Sequence, residues 1–195
     1  MKVYSRSTIE EVPPIAWKNG GGATRTLAIG PSGAGLEDFA WRVSLAEIEA
    51  DGEFSLFEGI DRTILLYRGC GIVMRSPAWT EHRLMIPFEP FEFRGEDPVW
   101  CGLLDGPSTD LNLMVRRCSA TGRVAVRRLG RSRIEIADEI LLLCAVGCGE
   151  VEFADGAKML VSEGEFIRIT GAVDAIFLQI DDRDAVFVCV MVQTG

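Results

Sequence analysis

Three observations predict an all-β chain assembled from two tandem units. Short apolar runs of strand length alternate with Gly, Pro and Asp turns along the sequence. No window of ten or more residues carries a clean 3.6-residue apolar stripe, which leaves candidate helices few and weak. DRTILLYRGCGIVMR (61–75) laid over EILLLCAVGCGEVEF (139–153) shares five of fifteen residues at an offset of 78, with Gly-Cys-Gly common to both.

Strands are expected at WRVSLAEI (41–48), RTILLYRG (62–69), GIVMR (71–75) and EILLLCAVG (139–147). Others are expected at EVEF (150–153), EFIRI (165–169), DAIFLQI (174–180) and AVFVCVMV (185–192). The repeat offset brings DLNLMV (110–115) within one residue of FVCVMV (187–192), and FEFRG (91–95) near FIRITG (166–171). Strand, Gly-X-Gly hairpin, strand, turn and two further strands is the pattern of a small antiparallel jelly roll. The predicted fold is therefore a double-stranded β-helix duplicated once, a bicupin. Its first unit spans residues 1–118, including the N-terminal segment, and its second spans 119–195.

A chain of 195 residues, 48% hydrophobic, can bury one substantial core or two small ones without disulfides. Its formal charge of −9 opposes binding to nucleic acid or to an anionic membrane, although a local basic pocket stays compatible with it. The N-terminus has no apolar h-region, and ILLLCAVGC (140–148) falls far short of the roughly 20 residues of a membrane span. The cytoplasm is the expected location. Cys70, Cys101, Cys118, Cys144, Cys148 and Cys189 lie mostly in apolar runs, so reduced, buried thiols are expected.

The chain has a single histidine, His82, which excludes a three-histidine metal site and a two-histidine, one-carboxylate iron site within one chain. His82, in SPAWTEHRLM, is expected in a solvated loop. Cys144 and Cys148, read as members of one strand, would stand about 13 Å apart, too far to chelate one ion. No metal and no cofactor is expected. There is no Gly-x-Ser-x-Gly elbow, and no spacing singles out a catalytic carboxylate pair, so no catalytic residue is assigned. WKNGGGATRT (17–26) lacks the frames of phosphate-binding loops and reads as a turn or as a backbone cradle for a ligand.

Polar residues inside strands carry more information. Alternation in WRVSLA puts Trp41, Val43 and Leu45 on one face and Arg42, Ser44 and Ala46 on the other. If the second face lines the barrel, Arg42 is a buried cation seeking an anion. Arg62 opens the central strand of the first repeat where the second has Ile140. That asymmetry predicts a polar pocket in the first unit and a filled second unit; a surface pair of Arg62 with Asp61 is the competing explanation.

WKNGGGAT (17–24), WRVSLA (41–46), DGEFSLFEGIDR (51–62), FRGE (93–96) and LLDGPSTDLNLM (103–114), in that order, resemble the motif series of the HutD/Ves family. The resemblance spans essentially the whole chain, with its specific motifs in the first two-thirds. It implies a bicupin associated with bacterial histidine utilisation, without established enzymatic activity, that binds a small acidic metabolite and tunes histidine breakdown. The residues matched by position are Trp17, Asn19, Gly20, Gly21, Gly22, Thr24, Trp41, Arg42, Ser44, Asp51, Gly52, Phe54, Ser55, Gly59, Arg62, Asp110 and Asn112. Of these, Arg42 and Arg62 suit carboxylate pairing, and Ser44, Ser55, Thr24 and Asn112 suit orientation of a ligand. Trp41 and Phe54 suit a cavity wall, while Asn19 and Gly21 offer the loop itself; Asp51, Gly52 and Gly59 read as turn residues. The expected ligand is formylglutamate or urocanate in type, with a metal-independent hydrolase or isomerase acting on such a compound as the alternative. Fold analogy alone points to a homodimer.

Overall fold

A computed structural model describes residues 3–171 and 174–195. The first strands are β1 (Val3–Thr8), β2 (Ile15–Ala16), β3 (Gly22–Gly30), β4 (Trp41–Ile48), β5 (Gly52–Glu53), β6 (Ile60–Arg68) and β7 (Ile72–Ser76). They are followed by β8 (Thr80–Leu84), β9 (Phe91–Arg94), β10 (Trp100–Leu103), β11 (Ser108–Arg116), β12 (Ala120–Arg127) and β13 (Gly130–Arg133). The last are β14 (Glu139–Val146), β15 (Cys148–Phe153), β16 (Lys158–Ser162), β17 (Glu165–Thr170), β18 (Ile176–Ile180) and β19 (Val186–Thr194). Among the described residues there is no helix.

The chain divides into two compact units, residues 12–121 and residues 122–194 joined by 1–11. The second boundary falls within three residues of the predicted one. The N-terminal segment, however, is shared differently: β1 pairs with β17 along its full length, from Val3 opposite Thr170 to Thr8 opposite Glu165. Only from Val12 onward does the chain belong to the unit predicted to hold all of it. A strand taken from the far end of the sequence leaves no local trace, because sheet pairing needs no proximity in sequence.

Each unit is built from two sheets of the same plan. In the unit of residues 12–121 the sheets run β2-β3-β4-β11-β6-β9 and β5-β10-β7-β8; in the other they run β1-β17-β14-β19-β12 and β13-β18-β15-β16. The ladder β9-β6-β11-β4 is thus repeated as β17-β14-β19-β12. The register repeats too: Met114, Asn112 and Asp110 face Arg62, Ile64 and Leu66, as Met191, Cys189 and Phe187 face Ile140, Leu142 and Cys144.

Between the two sheets of the second unit lies an apolar core that includes Ile140, Leu142, Cys144, Val151, Ile167, Leu178, Phe187 and Cys189. Gly149 makes room for Phe187: a Cβ there would stand 2.8 Å from the ring. In the first unit Ile48, Ile64, Leu66, Met74, Leu84 and Cys101 form a similar core, but the equivalents of Ile140, Phe187 and Cys189 are Arg62, Asp110 and Asn112. All three are buried. One unit is filled with hydrocarbon where the other keeps polar groups.

Three expectations about cysteine and histidine are corrected. Cys101, Cys144 and Cys189 are buried, but Cys70, Cys118 and Cys148 are exposed, and all six are free. Cys144 and Cys148 do not share a strand, since the chain turns at Gly147 (φ 73°) between β14 and β15. His82 sits in β8 opposite Met74, not in a loop, and stacks on Phe91 with ring centroids 3.7 Å apart.

Candidate functional site

The polar groups of the first unit occupy successive rows across its larger sheet. Register puts Phe93, Arg62, Met114 and Arg42 in one row, and Phe91, Ile64, Asn112, Ser44 and Thr26 in the next. Leu66, Asp110, Ala46 and Thr24 form the third. Rows two residues apart on a strand are separated by about 7 Å, with side chains on one face. Because Phe93, Ile64 and Leu66 belong to the core between the sheets, this face is the interior of the unit.

Both arginines lean from the first row toward the second. Arg62 Nε donates to Asn112 Oδ1 at 3.4 Å, and Arg42 donates to Thr26 Oγ1 through Nε at 3.1 Å and Nη2 at 3.0 Å. The Arg62 guanidinium lies 4.8, 5.2 and 5.9 Å from the rings of Phe93, Phe54 and Phe57. Those ring faces stabilise a cation stripped of water. Even so, burial pulls the Arg62 pKa down to about 10, with Asp110 opposing that shift and Arg42 adding to it. Burial also lowers Arg42. Asp61 does not pair with Arg62; it points to the other face and accepts a hydrogen bond from Arg117 at 2.7 Å.

Asp110 is the counterweight in the third row. It is 2% exposed, and no protein group donates to its Oδ1. Burial pushes its pKa up to about 7, and Arg62 alone pulls it back. Near neutrality the carboxyl is therefore poised between two protonation states. Among the described residues no group of three or more His, Cys, Asp or Glu is arranged to hold a metal ion.

The structure brings together Arg42, Arg62, Ser44 and Asn112, with Phe54 against Arg62, from the expected set. Thr24 lies on the interior face, where its Oγ1 accepts from Trp17 Nε1 at 2.8 Å. Trp41 does not join them: it lies on the opposite face of β4, against Gly30. Ser55 is exposed, as is Asn19, whose Oδ1 accepts from the Gly21 amide at 3.0 Å. That bond and the Trp17 amide donating to Gly22 at 2.8 Å close the glycine loop on itself. Asp110, Thr26, Phe57 and Phe93 belong to the observed site without belonging to the expected one. Strand alternation in DLNLMV carries the signal for the first, because Asp110 and Asn112 share a face.

A solved structure of HutD from Pseudomonas fluorescens SBW25, in a formate condition, superposes with a TM-score of 0.85 at 27% identity, covering 99% of this chain and all of that one. A conserved protein of unknown function from Pseudomonas aeruginosa PAO1 gives 0.88 at 26% identity, covering 98% of this chain and 99% of its own. A cupin barrel protein from Leptotrichia buccalis, at 10% identity and a TM-score of 0.61 over 98% of this chain and 96% of its own, shares the fold alone. By sequence, an uncharacterized protein of the hutC 3' region of Pseudomonas putida is 34% identical over 89% of this chain and 90% of its own length. Protein Ves of Citrobacter koseri is 40% identical over 61% of this chain and 62% of its own. The HutD family model matches residues 8–188, from the last residue of β1 into β19, and with that span the chain belongs to the HutD family and has its cupin fold.

Proposed function

We propose that this protein is a metal-independent cupin binding protein for a small acidic metabolite of histidine degradation, of the formylglutamate or urocanate type. Its occupancy would limit or tune histidine utilisation in the cytoplasm. The first unit is the binding unit, and the second is scaffold. One observation carries the reading: two buried guanidiniums, Arg42 and Arg62, converge on one interior row and form no ion pair among the described residues. Burying a cation without a counter-ion is costly, and an incoming carboxylate removes that cost. A guanidinium also matches a carboxylate bidentately. The hutC-region relative supports the pathway. Titration calorimetry with formylglutamate and with urocanate tests it: binding that Arg62→Met weakens is expected, and no heat from either at millimolar concentration overturns the reading.

Asp110 favours a second reading. A carboxyl with a pKa of about 7 that interacts with the Arg62 charge has the properties of a general acid or base, as a hydrolase or isomerase of the same compounds requires. Proton NMR of either compound incubated with pure protein separates the readings. Turnover that persists through purification and disappears in Asp110→Asn favours the enzyme.

A further inference from the structure

The Asp110 carboxyl is stabilised in its charged form by Arg62 and by no hydrogen bond to its Oδ1. It sits in the interior of the first unit, 2% exposed, with Oδ1 receiving no hydrogen bond from the protein. Its equivalent in the second unit is Phe187, which is 0% exposed, so the fold is satisfied by hydrocarbon at this position. A buried acceptor left open is unfavourable unless something donates to it.

Its surroundings limit what that donor can be. On either side along the sheet it faces Leu66 and Ala46, which offer nothing. The charged groups near it are Arg62 from β6 and, beyond that, Arg42 from β4; from β10 of the facing sheet comes the Cys101 thiol, which burial and the nearby Asp110 hold up at about 12, hence neutral. Arg62 is turned toward Asn112, in the row between its own and that of Asp110. A ligand carboxylate seated on the two guanidiniums therefore has Asp110 about one row, or 7 Å, further along the interior.

On this basis, and resting on the reading of the arginines as a carboxylate site, we infer that Asp110 accepts a hydrogen bond from an N–H of the ligand. The site then selects carboxylates that carry an N–H donor a few atoms away, such as an N-acylamino acid or an imidazole acid, over carboxylates that lack one. Asp110 is a specificity residue under this inference: Arg42 and Arg62 hold the anionic end, and Asp110 reads the nitrogen. A site built to accept a hydrogen bond penalises an analogue that cannot give one, because the buried acceptor stays unmet.

The experiment compares N-formylglutamate with 2-(formyloxy)glutarate, in which an ester oxygen replaces the N–H, by titration calorimetry on the full chain. The amide is expected to bind about 10- to 100-fold more tightly. Its advantage should grow as pH rises from about 6 to about 8, because an ionised carboxylate accepts more strongly than a protonated one. In Asp110→Leu, which puts hydrocarbon where the second unit already has Phe187, the ratio should fall close to one. Equal affinity of the two probes for the wild-type protein overturns this inference and leaves the carboxylate site standing. An undiminished ratio in Asp110→Leu overturns it too, by placing the acceptor elsewhere. Should that variant fail to fold, a wild-type ratio that is flat across the pH range decides against it. Absence of binding by both probes overturns the inference together with the carboxylate reading.

Discussion

Arg62 Nε donates to Asn112 Oδ1 at 3.4 Å across the step from β6 to β11, and this long bond is the one hydrogen bond seen from the buried guanidinium among the described residues. Three phenyl rings and one distant carboxyl supply the rest of its environment. Such a cation is held for function more than for stability. Replacing it with methionine should lower carboxylate affinity by about 2–5 kcal/mol. Stability of the same variant, measured by urea unfolding, should stay within ~1 kcal/mol of wild type or rise, because an apolar chain of similar length replaces an under-solvated charge. Loss of several kcal/mol of stability would show that Arg62 is structural.

Asp110 predicts a pH signature of folding. Its pKa is about 7 in the folded protein against an ordinary 3.8. Between about pH 4 and pH 7 the folded chain retains a proton that the unfolded chain gives up, so this group's contribution to stability falls as pH rises through the window and levels off above it. Carboxylates such as Glu11, Asp138 and Glu165 are lowered by hydrogen bonds from their neighbours and act in the opposite direction at lower pH. The difference between wild type and Asp110→Asn isolates the buried group. That difference should decline by a few kcal/mol across the window; a flat difference would mean that Asp110 titrates normally.

Much of this architecture is legible in the sequence. The run WRVSLAEI coincides with β4 to the residue, and the 78-residue offset that aligns Arg62 with Ile140 is the structural equivalence of β6 and β14. Alternation also identifies the face bearing Arg42 and Ser44. What stays hidden depends on partners distant in sequence. The pairing of β1 with β17 joins the two ends of the chain, and the stacking of His82 on Phe91 joins β8 to β9, strands of different sheets. The neighbours that make Asp110 a buried, unmet acceptor come from β4, β6 and β10. Trp41 departs from expectation for a simpler reason: an aromatic ring suits a cavity wall chemically, but its parity on β4 sends it to the other face.

The thiols divide into two classes with different reactivity. Burial pushes Cys101, Cys144 and Cys189 up to about 12, whereas Cys70, Cys118 and Cys148 are exposed. A disulfide reagent attacks thiolate, so neutral buried thiols react only on opening of the structure. Native protein at pH 8 should therefore release colour for three thiols promptly, and for the remaining three only in denaturant. Prompt reaction of more than three would show that one of the apolar cores opens readily.

The glycine run separates into positions with different demands. Gly20 has φ 72°, with nothing within 4 Å of a built Cβ, so alanine there meets only backbone strain. The cost of that strain is about 1 kcal/mol. Gly22 is different: a Cβ would collide with the Glu47 carbonyl oxygen and come within 3.3 Å of the Trp17 ring. The backbone of β3 approaches β4 here, and Trp17 packs on the first unit's core while its Nε1 donates to Thr24. A carbonyl in a sheet ladder cannot move aside cheaply, so Gly22→Ala should cost at least ~2 kcal/mol more than Gly20→Ala in urea unfolding. It should also expose Trp17, seen as a red shift in tryptophan emission that Gly20→Ala does not produce. Equal costs for the two would return the glycines to the role of a simple turn, and a loss of ligand affinity in Gly20→Ala at unchanged stability would make the loop a direct contact instead.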